Sequence, residues 1–90
     1  MKELRFSNRF KKDFKRYRHD KEKLALLNEI LHYLENGITI PMKFKPHMLH
    51  GDYNGCMECH IGPDFLLIWQ DESENIVYIV RLGSHSELFD

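Results

Sequence analysis

The run Phe65-Leu66-Leu67-Ile68-Trp69-Gln70, its polar exit Asp71-Glu72-Ser73-Glu74-Asn75 and the second run Ile76-Val77-Tyr78-Ile79-Val80-Arg81-Leu82 decide the fold class. Both runs are rich in β-branched and aromatic residues, both are far too short to span a membrane, and a polar turn separates them. They predict two antiparallel strands joined in sequence. Working upstream, Gly62-Pro63-Asp64 is a second turn, and Tyr53–Ile61 before it reads as a third strand of the same meander. Ile38 to Gly51 carries Pro41, Pro46 and Gly51 with no sustained period. It reads as a long loop, and long loops inside small domains are often functional.

The N-terminal half has a different period. Ser7 is placed to cap a helix, and Phe10, Phe14 and Tyr17 follow at helical spacing on one face. After His19, Asp20 caps a second helix in which Leu24, Leu27, Leu31 and Leu34 recur, and Asn36-Gly37 ends it. Two short helices with a tight connection form an antiparallel hairpin. Lys2–Phe6 is short and partly alternating, as an edge strand is. The expectation is a single α+β domain over residues 1–90, with an N-terminal strand and a two-helix hairpin packed on one face of an antiparallel β-sheet.

Composition narrows the function classes. Apolar residues make up 42% and charged residues 30% of the 90, which is the balance of a folded globular chain rather than a disordered one. No apolar stretch resembles a leader or a membrane span, and two cysteines fit a reducing compartment, so a cytoplasmic protein is expected. The net charge of −1 conceals an asymmetry: residues 1–23 hold ten basic against four acidic side chains. A segment of net charge +6 suits a polyanion or an acidic partner protein, although lysine and arginine are also ordinary helix-surface residues.

Strand alternation sorts the third strand into Cys56, Glu58 and His60 on one face and Met57, Cys59 and Ile61 on the other. The apolar set meets the helices; the polar set points to an open face. Alternation also places Arg81 with Val77 and Ile79, among apolar neighbours near a strand end, where an arginine either snorkels at a rim or serves an anion. Cys56-x-x-Cys59-His60 suggests zinc, but cysteines three apart on a strand face opposite ways and no second cysteine pair completes four ligands. Of the six histidines, His47, His50, His60 and His85 fall in the loop, at a strand end or in the C-terminal tail, where scaffolds present reactive side chains. His19 and His32 sit in the helical half, away from them.

Three stretches carry a resemblance: His47-Met48-Leu49-His50-Gly51, then His60-Ile61-Gly62-Pro63-Asp64, then Arg81-Leu82-Gly83-Ser84-His85-Ser86-Glu87-Leu88-Phe89. With the order and lengths of the flanking elements, they resemble the YafQ branch of the RelE-like toxins, over nearly the whole chain. The resemblance implies the toxin of a bacterial type II toxin–antitoxin pair. Such a toxin cuts mRNA without a metal or other cofactor, on the translating ribosome, and is silenced by an acidic antitoxin; the toxin–antitoxin complex binds its own operator DNA. It implies functional roles for His47, His60, Asp64 and His85 in catalysis and for Arg81 and Phe89 in substrate binding. His50 is a histidine to which the resemblance assigns nothing.

The chemistry fits those residue types. Metal-free RNA cleavage uses the 2′-hydroxyl as internal nucleophile and leaves a 2′,3′-cyclic phosphate and a 5′-hydroxyl. It needs a base for the 2′-proton and an acid for the departing 5′-oxygen, each contributing roughly 10²–10⁴-fold. Imidazole, with an unperturbed pKa of about 6.5, serves either task. The reading expects His85 as acid and Asp64 as base, acting through His60; Arg81 meets phosphoryl charge and Phe89 stacks on an unpaired base. A toxin of the ParE type, or another module that inhibits a protein or DNA target by binding alone, stays open as the alternative.

Overall fold

A computed structural model describes residues 1–89. Its elements are β1 (Glu3–Phe6), α1 (Asn8–Lys15), α2 (Lys21–Glu35), β2 (His47–Met48), β3 (Met57–Gly62), β4 (Phe65–Asp71), β5 (Ile76–Gly83) and α3 (His85–Phe89), with 3-10 turns at Met42–Phe44 and Gly51–Tyr53. The expected caps form. Ser7 Oγ accepts the Phe10 N–H at 2.9 Å and donates to the Val80 carbonyl at 2.6 Å, so one hydroxyl starts α1 and ties it to β5. Asp20 accepts the Lys23 N–H at 3.1 Å and starts α2, which ends at Asn36 with Gly37 at φ 66°.

The strands lie in the order β1-β5-β4-β3-β2. The β3–β4–β5 meander is antiparallel as expected, and β1 joins β5 in parallel. A strand separated from its partner by most of the chain has no hairpin to set its direction. Here the direction follows from Ser7, whose N–H meets the Ile79 carbonyl where the chain leaves for α1. β4 is the central strand and is buried from Phe65 to Trp69, which explains its unbroken apolar run; each such side chain contributes about 1.5–3 kcal/mol. Phe65, Leu67 and Trp69 meet Phe10, Leu27, Ile30 and Leu34 of the helices, and Cys59 and Ile61 lie in the same layer, as alternation required. The opposite face carries a smaller cluster of Cys56, Leu66, Ile68 and Leu88, so it is partly covered rather than open.

Three expectations change. The loop from Ile38 to Gly51 contains β2, in which His47 pairs with Glu58 and Met48 with Met57; two residues between Pro46 and Gly51 are too few to show a period. The third strand begins at Met57, because the turn at Gly51–Tyr53 and Gly55 at φ 89° hold the preceding residues out of the sheet. The C-terminal tail is a short helix, α3. Ser84 Oγ accepts the Glu87 N–H at 3.2 Å while the Glu87 carboxylate accepts the Ser84 N–H at 2.8 Å, a reciprocal capping box. Gly83 permits this turn: its φ is 155°, and a Cβ there would lie 2.6 Å from Glu87 Oε1. Among the described residues no helix is long and apolar enough to cross a membrane.

Candidate active site

The sheet register builds one row across four strands on the face away from α1 and α2. His47 stands opposite Glu58, Glu58 opposite Ile68, and Ile68 opposite Arg81. The next row pairs His60 with Leu66 and Leu66 with Gly83, after which α3 brings in His85 and Phe89. The rings form a chain: His47 to His60 at 5.9 Å, His60 to His85 at 5.7 Å and His85 to Phe89 at 6.3 Å between centroids. Residues from β2, β3 and α3, far apart in sequence, therefore share one surface.

His47 and His85 are each held by an acceptor, and His60 lies beside a carboxylate. His47 Nδ1 donates to the Lys45 carbonyl at 2.8 Å, and its Nε2 lies 3.1 Å from Glu58 Oε1. The same carboxylate oxygen is 3.6 Å from His60 Nε2. Glu58 is buried at 3% exposure and its Oε2 has no hydrogen-bond partner, so both histidines face a carboxylate shielded from water. His85 is held differently. Asp64 Oδ1 accepts its backbone N–H at 2.9 Å and its ring Nδ1–H at 2.7 Å, leaving Nε2 as the atom available for proton exchange. These two bonds hold the Asp64 carboxyl below the usual carboxylate range, the backbone N–H contributing most. Asp64, expected to work through His60, contacts His85 instead.

Lys45 at φ 52° and Asp64 at φ 48° are the non-glycine residues with positive φ among those described, and both flank the histidines. Such backbone costs about 1–2 kcal/mol per residue and is tolerated where the position of a side chain matters.

Arg81 departs from the alternation expectation. The register passes from Ile68 opposite Arg81 to Trp69 opposite Ile79, so β5 carries a bulge at Val80 and Arg81 turns to the histidine face. It is not an open rim residue. Asp13 of α1 accepts from its Nε at 2.7 Å and Nη2 at 3.1 Å, and the Tyr53 hydroxyl accepts from Nη1 at 3.0 Å. Asp13 also accepts the Leu82 N–H at 3.0 Å. The guanidinium is thus permanently charged and fixed, with its pKa raised chiefly by Asp13.

Two hollows flank the histidines. One, of about 440 Å³, is bordered by Lys43, Lys45, His60 and Asp64. The other, of about 450 Å³, lies between Arg9, His50, Asp52, Tyr53 and Phe89 and gives His50 its place. Phe89 is 47% exposed and stands edge-on to Tyr53 with centroids 5.7 Å apart, so one side of its ring is supported by protein. Glu87, which caps α3, also accepts from the Tyr17 hydroxyl and anchors α3 to the turn after α1; the Tyr17 bond is the main reason its carboxyl pKa is lowered.

His47, His60, Asp64, His85 and Phe89 therefore come together as the sequence reading expected, and Arg81 lies behind them, already paired. Glu58, Asp13 and Tyr53 were missed as site residues. Only the Glu58-x-His60 alternation signalled one of them, and the S-x-x-E pattern of Ser84–Glu87 was an unread sign of α3. The cysteines make no joint ligand set: Cys56 belongs to the small cluster and Cys59 to the main core, where burial pushes its thiol up to about 12. His47, Glu58 and His60 do bring three ligand atoms within 4.8 Å of one another, a spacing that suits a divalent ion.

Comparison with known proteins gives the family. A family model described as the bacterial toxin of a type II toxin–antitoxin system, YafQ, matches residues 2–90. The mRNA interferase toxin YafQ of Escherichia coli K12 is 31% identical over 91 residues, covering 98% of this chain and 96% of that protein. The metal-bound toxin from Helicobacter pylori has a similar structure, with TM-score 0.86 and 39% identity over 99% of this chain and 100% of that one. The toxin chain of the E. coli DinJ–YafQ toxin–antitoxin complex gives TM-score 0.85 and 26% identity over 99% of this chain and 98% of its own. This chain belongs to the YafQ family of toxins of bacterial type II toxin–antitoxin systems.

Proposed function

We propose that this protein is an endoribonuclease that cuts mRNA on the translating ribosome by attack of the substrate's own 2′-hydroxyl, without a metal. The observation that carries the reading is the pair of imidazoles, His60 and His85, 5.7 Å apart, the first beside Glu58, which it shares with His47, and the second on Asp64. Glu58 is too buried to meet RNA directly. It stands behind His60, which takes the 2′-proton. Asp64 orients His85, whose Nε2 gives a proton to the departing 5′-oxygen. His47 and Arg81 meet the charge that grows on the phosphoryl oxygens, the arginine with the N–H groups that Asp13 and Tyr53 leave free. Phe89, backed by Tyr53, stacks on an unpaired base, and the flanking Lys43, Lys45 and Arg9 follow the phosphate backbone.

Acid and base sides were exchangeable in the sequence. We take His85 as the acid, because Asp64 fixes its Nδ1–H and leaves Nε2 as the atom that exchanges a proton with the substrate. The relatives named mRNA interferase toxins support the substrate class, and the DinJ–YafQ complex supports a protein antitoxin as partner. A divalent ion on His47, Glu58 and His60 would engage the groups the reaction uses, so in this mechanism it inhibits.

The test is message incubated with the protein in a translation extract, with 5′ ends mapped and end groups identified. Discrete cuts bearing 5′-hydroxyl and 2′,3′-cyclic phosphate ends, and the same chemistry on RNA alone in EDTA, support the reading. Intact message with impaired DNA supercoiling would replace it with the binding alternative.

A further inference from the structure

Two side chains beside the histidines have no task in the mechanism above. His50 precedes the Gly51–Tyr53 turn and Asp52 lies within it; both are exposed, and neither makes a side-chain hydrogen bond or salt bridge among the described residues. With Phe89 and Arg9 they line the hollow of about 450 Å³ next to α3, a volume in the range of small-ligand pockets. The turn that presents them is fixed. The Tyr53 hydroxyl donates to the Leu88 carbonyl at 3.3 Å and accepts from Arg81 at 3.0 Å, and the Asn54 N–H closes the turn on the Gly51 carbonyl at 3.0 Å. A carboxylate is out of place on a surface that follows phosphates, because it repels them. It gains a use when it accepts hydrogen bonds from a base.

In the proposed mechanism His60 takes the 2′-proton, so the nucleotide on the 5′ side of the cut lies over His60. His85 protonates the departing 5′-oxygen, so the nucleotide on the 3′ side begins at His85. From there the rings continue to Phe89 at 6.3 Å and on to Tyr53 at 5.7 Å, which leads into the hollow of His50 and Asp52. The hollow of Lys43, Lys45 and His60 is left for the 5′ side. We propose that the His50–Asp52 hollow takes the base 3′ of the cut, stacked on Phe89, and selects guanine; this rests on the nuclease reading and deepens it. Guanine is the base whose Watson–Crick edge sets two donors side by side, N1–H and N2–H, with the O6 acceptor next to them. The Asp52 carboxylate accepts from both donors, and a ring N–H of His50 donates to O6. Adenine and cytosine carry a lone pair next to their amino group, and uracil flanks its single N3–H with two carbonyls. Each would set an acceptor against the Asp52 carboxylate. Arg9, on the border of the hollow, keeps its place on the phosphate backbone.

Asp52→Asn tests this, because an amide offers one acceptor and one donor group and pairs with the N6–H and N1 of adenine instead. Wild type and variant are incubated with a message of mixed sequence in a translation extract, and the first base of every downstream fragment is read. Wild type should give guanine there on the order of 10-fold above its share of the message, and Asp52→Asn should lose that preference and favour adenine. His50→Ala should weaken the choice of guanine without turning it to adenine. Both side chains are exposed and unbonded, so melting temperatures should stay close to wild type, and a change of base is a readout that a merely structural role would not move. A first base that follows message composition, a wild-type preference for any base other than guanine, or a preference confined to the base 5′ of the cut overturns the pocket. So does an unchanged preference in folded Asp52→Asn. If wild type makes no cuts in the extract, the nuclease reading itself fails and takes the pocket with it.

Discussion

Asp13→Ala removes the acceptor of two Arg81 bonds and of the Leu82 N–H, and the guanidinium it leaves behind is 8% exposed. Breaking a buried ion pair from one side costs about 3–5 kcal/mol, since the remaining charge stays desolvated and unpaired. The low end applies here, because Tyr53 still accepts one N–H and Arg81 lies at the edge of a polar hollow. About 3 kcal/mol in a domain of this size is a fall of about 12–24 °C in melting temperature. The double variant D13L/R81M removes both charges and should recover about 1 kcal/mol or more of that loss. Urea denaturation of wild type, D13L, R81M and D13L/R81M closes a thermodynamic cycle, with Asp13→Ala measured beside it, and the same samples enter the RNA assay. Stability should return in the double variant while cleavage does not, because the guanidinium is gone. A single-variant cost below about 1 kcal/mol, or a double variant no more stable than Asp13→Ala, would refute the argument that this pair is held by mutual desolvation.

Other outcomes follow from the same geometry. His85→Gln should lower cleavage by roughly 10²–10⁴-fold with an unchanged circular dichroism spectrum, and full activity in the folded variant would remove His85 from the mechanism. Glu58→Gln keeps the shape but not the charge behind His60, so the rate should drop and the acidic limb of the pH–rate profile, which reports the base, should move; a profile identical to wild type contradicts the role given to Glu58. The Asp64 carboxyl has a lowered folded pKa, so its contribution to stability is complete above the unfolded value of about 3.9 and fades as the pH falls through the folded value. The urea midpoints of wild type and Asp64→Asn should differ by a constant amount above about pH 5 and converge in stronger acid, which a midpoint series against pH reads directly. Burial raises both thiols, so neither Cys56 nor Cys59 should react quickly with a disulfide reagent in the native protein, and both should react in denaturant.

A concave surface with buried Glu58 and positive-φ Lys45 and Asp64 departs from what packing alone favours. Each departure has the same effect: it keeps an imidazole in one orientation before substrate arrives. In the proposed mechanism, such preorganisation lets a domain of 90 residues hold several ionisable groups within reach of one phosphodiester link. The anchoring of α3 through Glu87 and Tyr17 extends this to His85 and Phe89, whose helix is too short to hold its place alone.

The sequence alone determined the strands β3, β4 and β5, the two capped helices and the face on which Cys59 and Ile61 are buried, because each rests on a local period or a capping side chain that needs no distant partner. The motif histidines, Asp64 and Phe89 were legible for a different reason, their spacing within motifs that resemble a known family. Tertiary structure decided what depends on register. β2 exists because two residues find the free edge of β3, and its pairing is what brings His47 to Glu58. One extra residue at Val80 turns Arg81 from the helical layer to the histidine face, where Asp13 captures it across 68 positions of chain. Alternation has a period of two, so a single bulge reverses every inference drawn beyond it. The division of the basic segment is likewise invisible to a charge count: Lys11, Lys15 and Arg18 border an apolar groove with Phe10 and Leu27, and Arg9, Lys12 and Arg16 border a polar hollow with Asp13 and Arg81, according to what α2 and β5 place beside α1 and the turn after it.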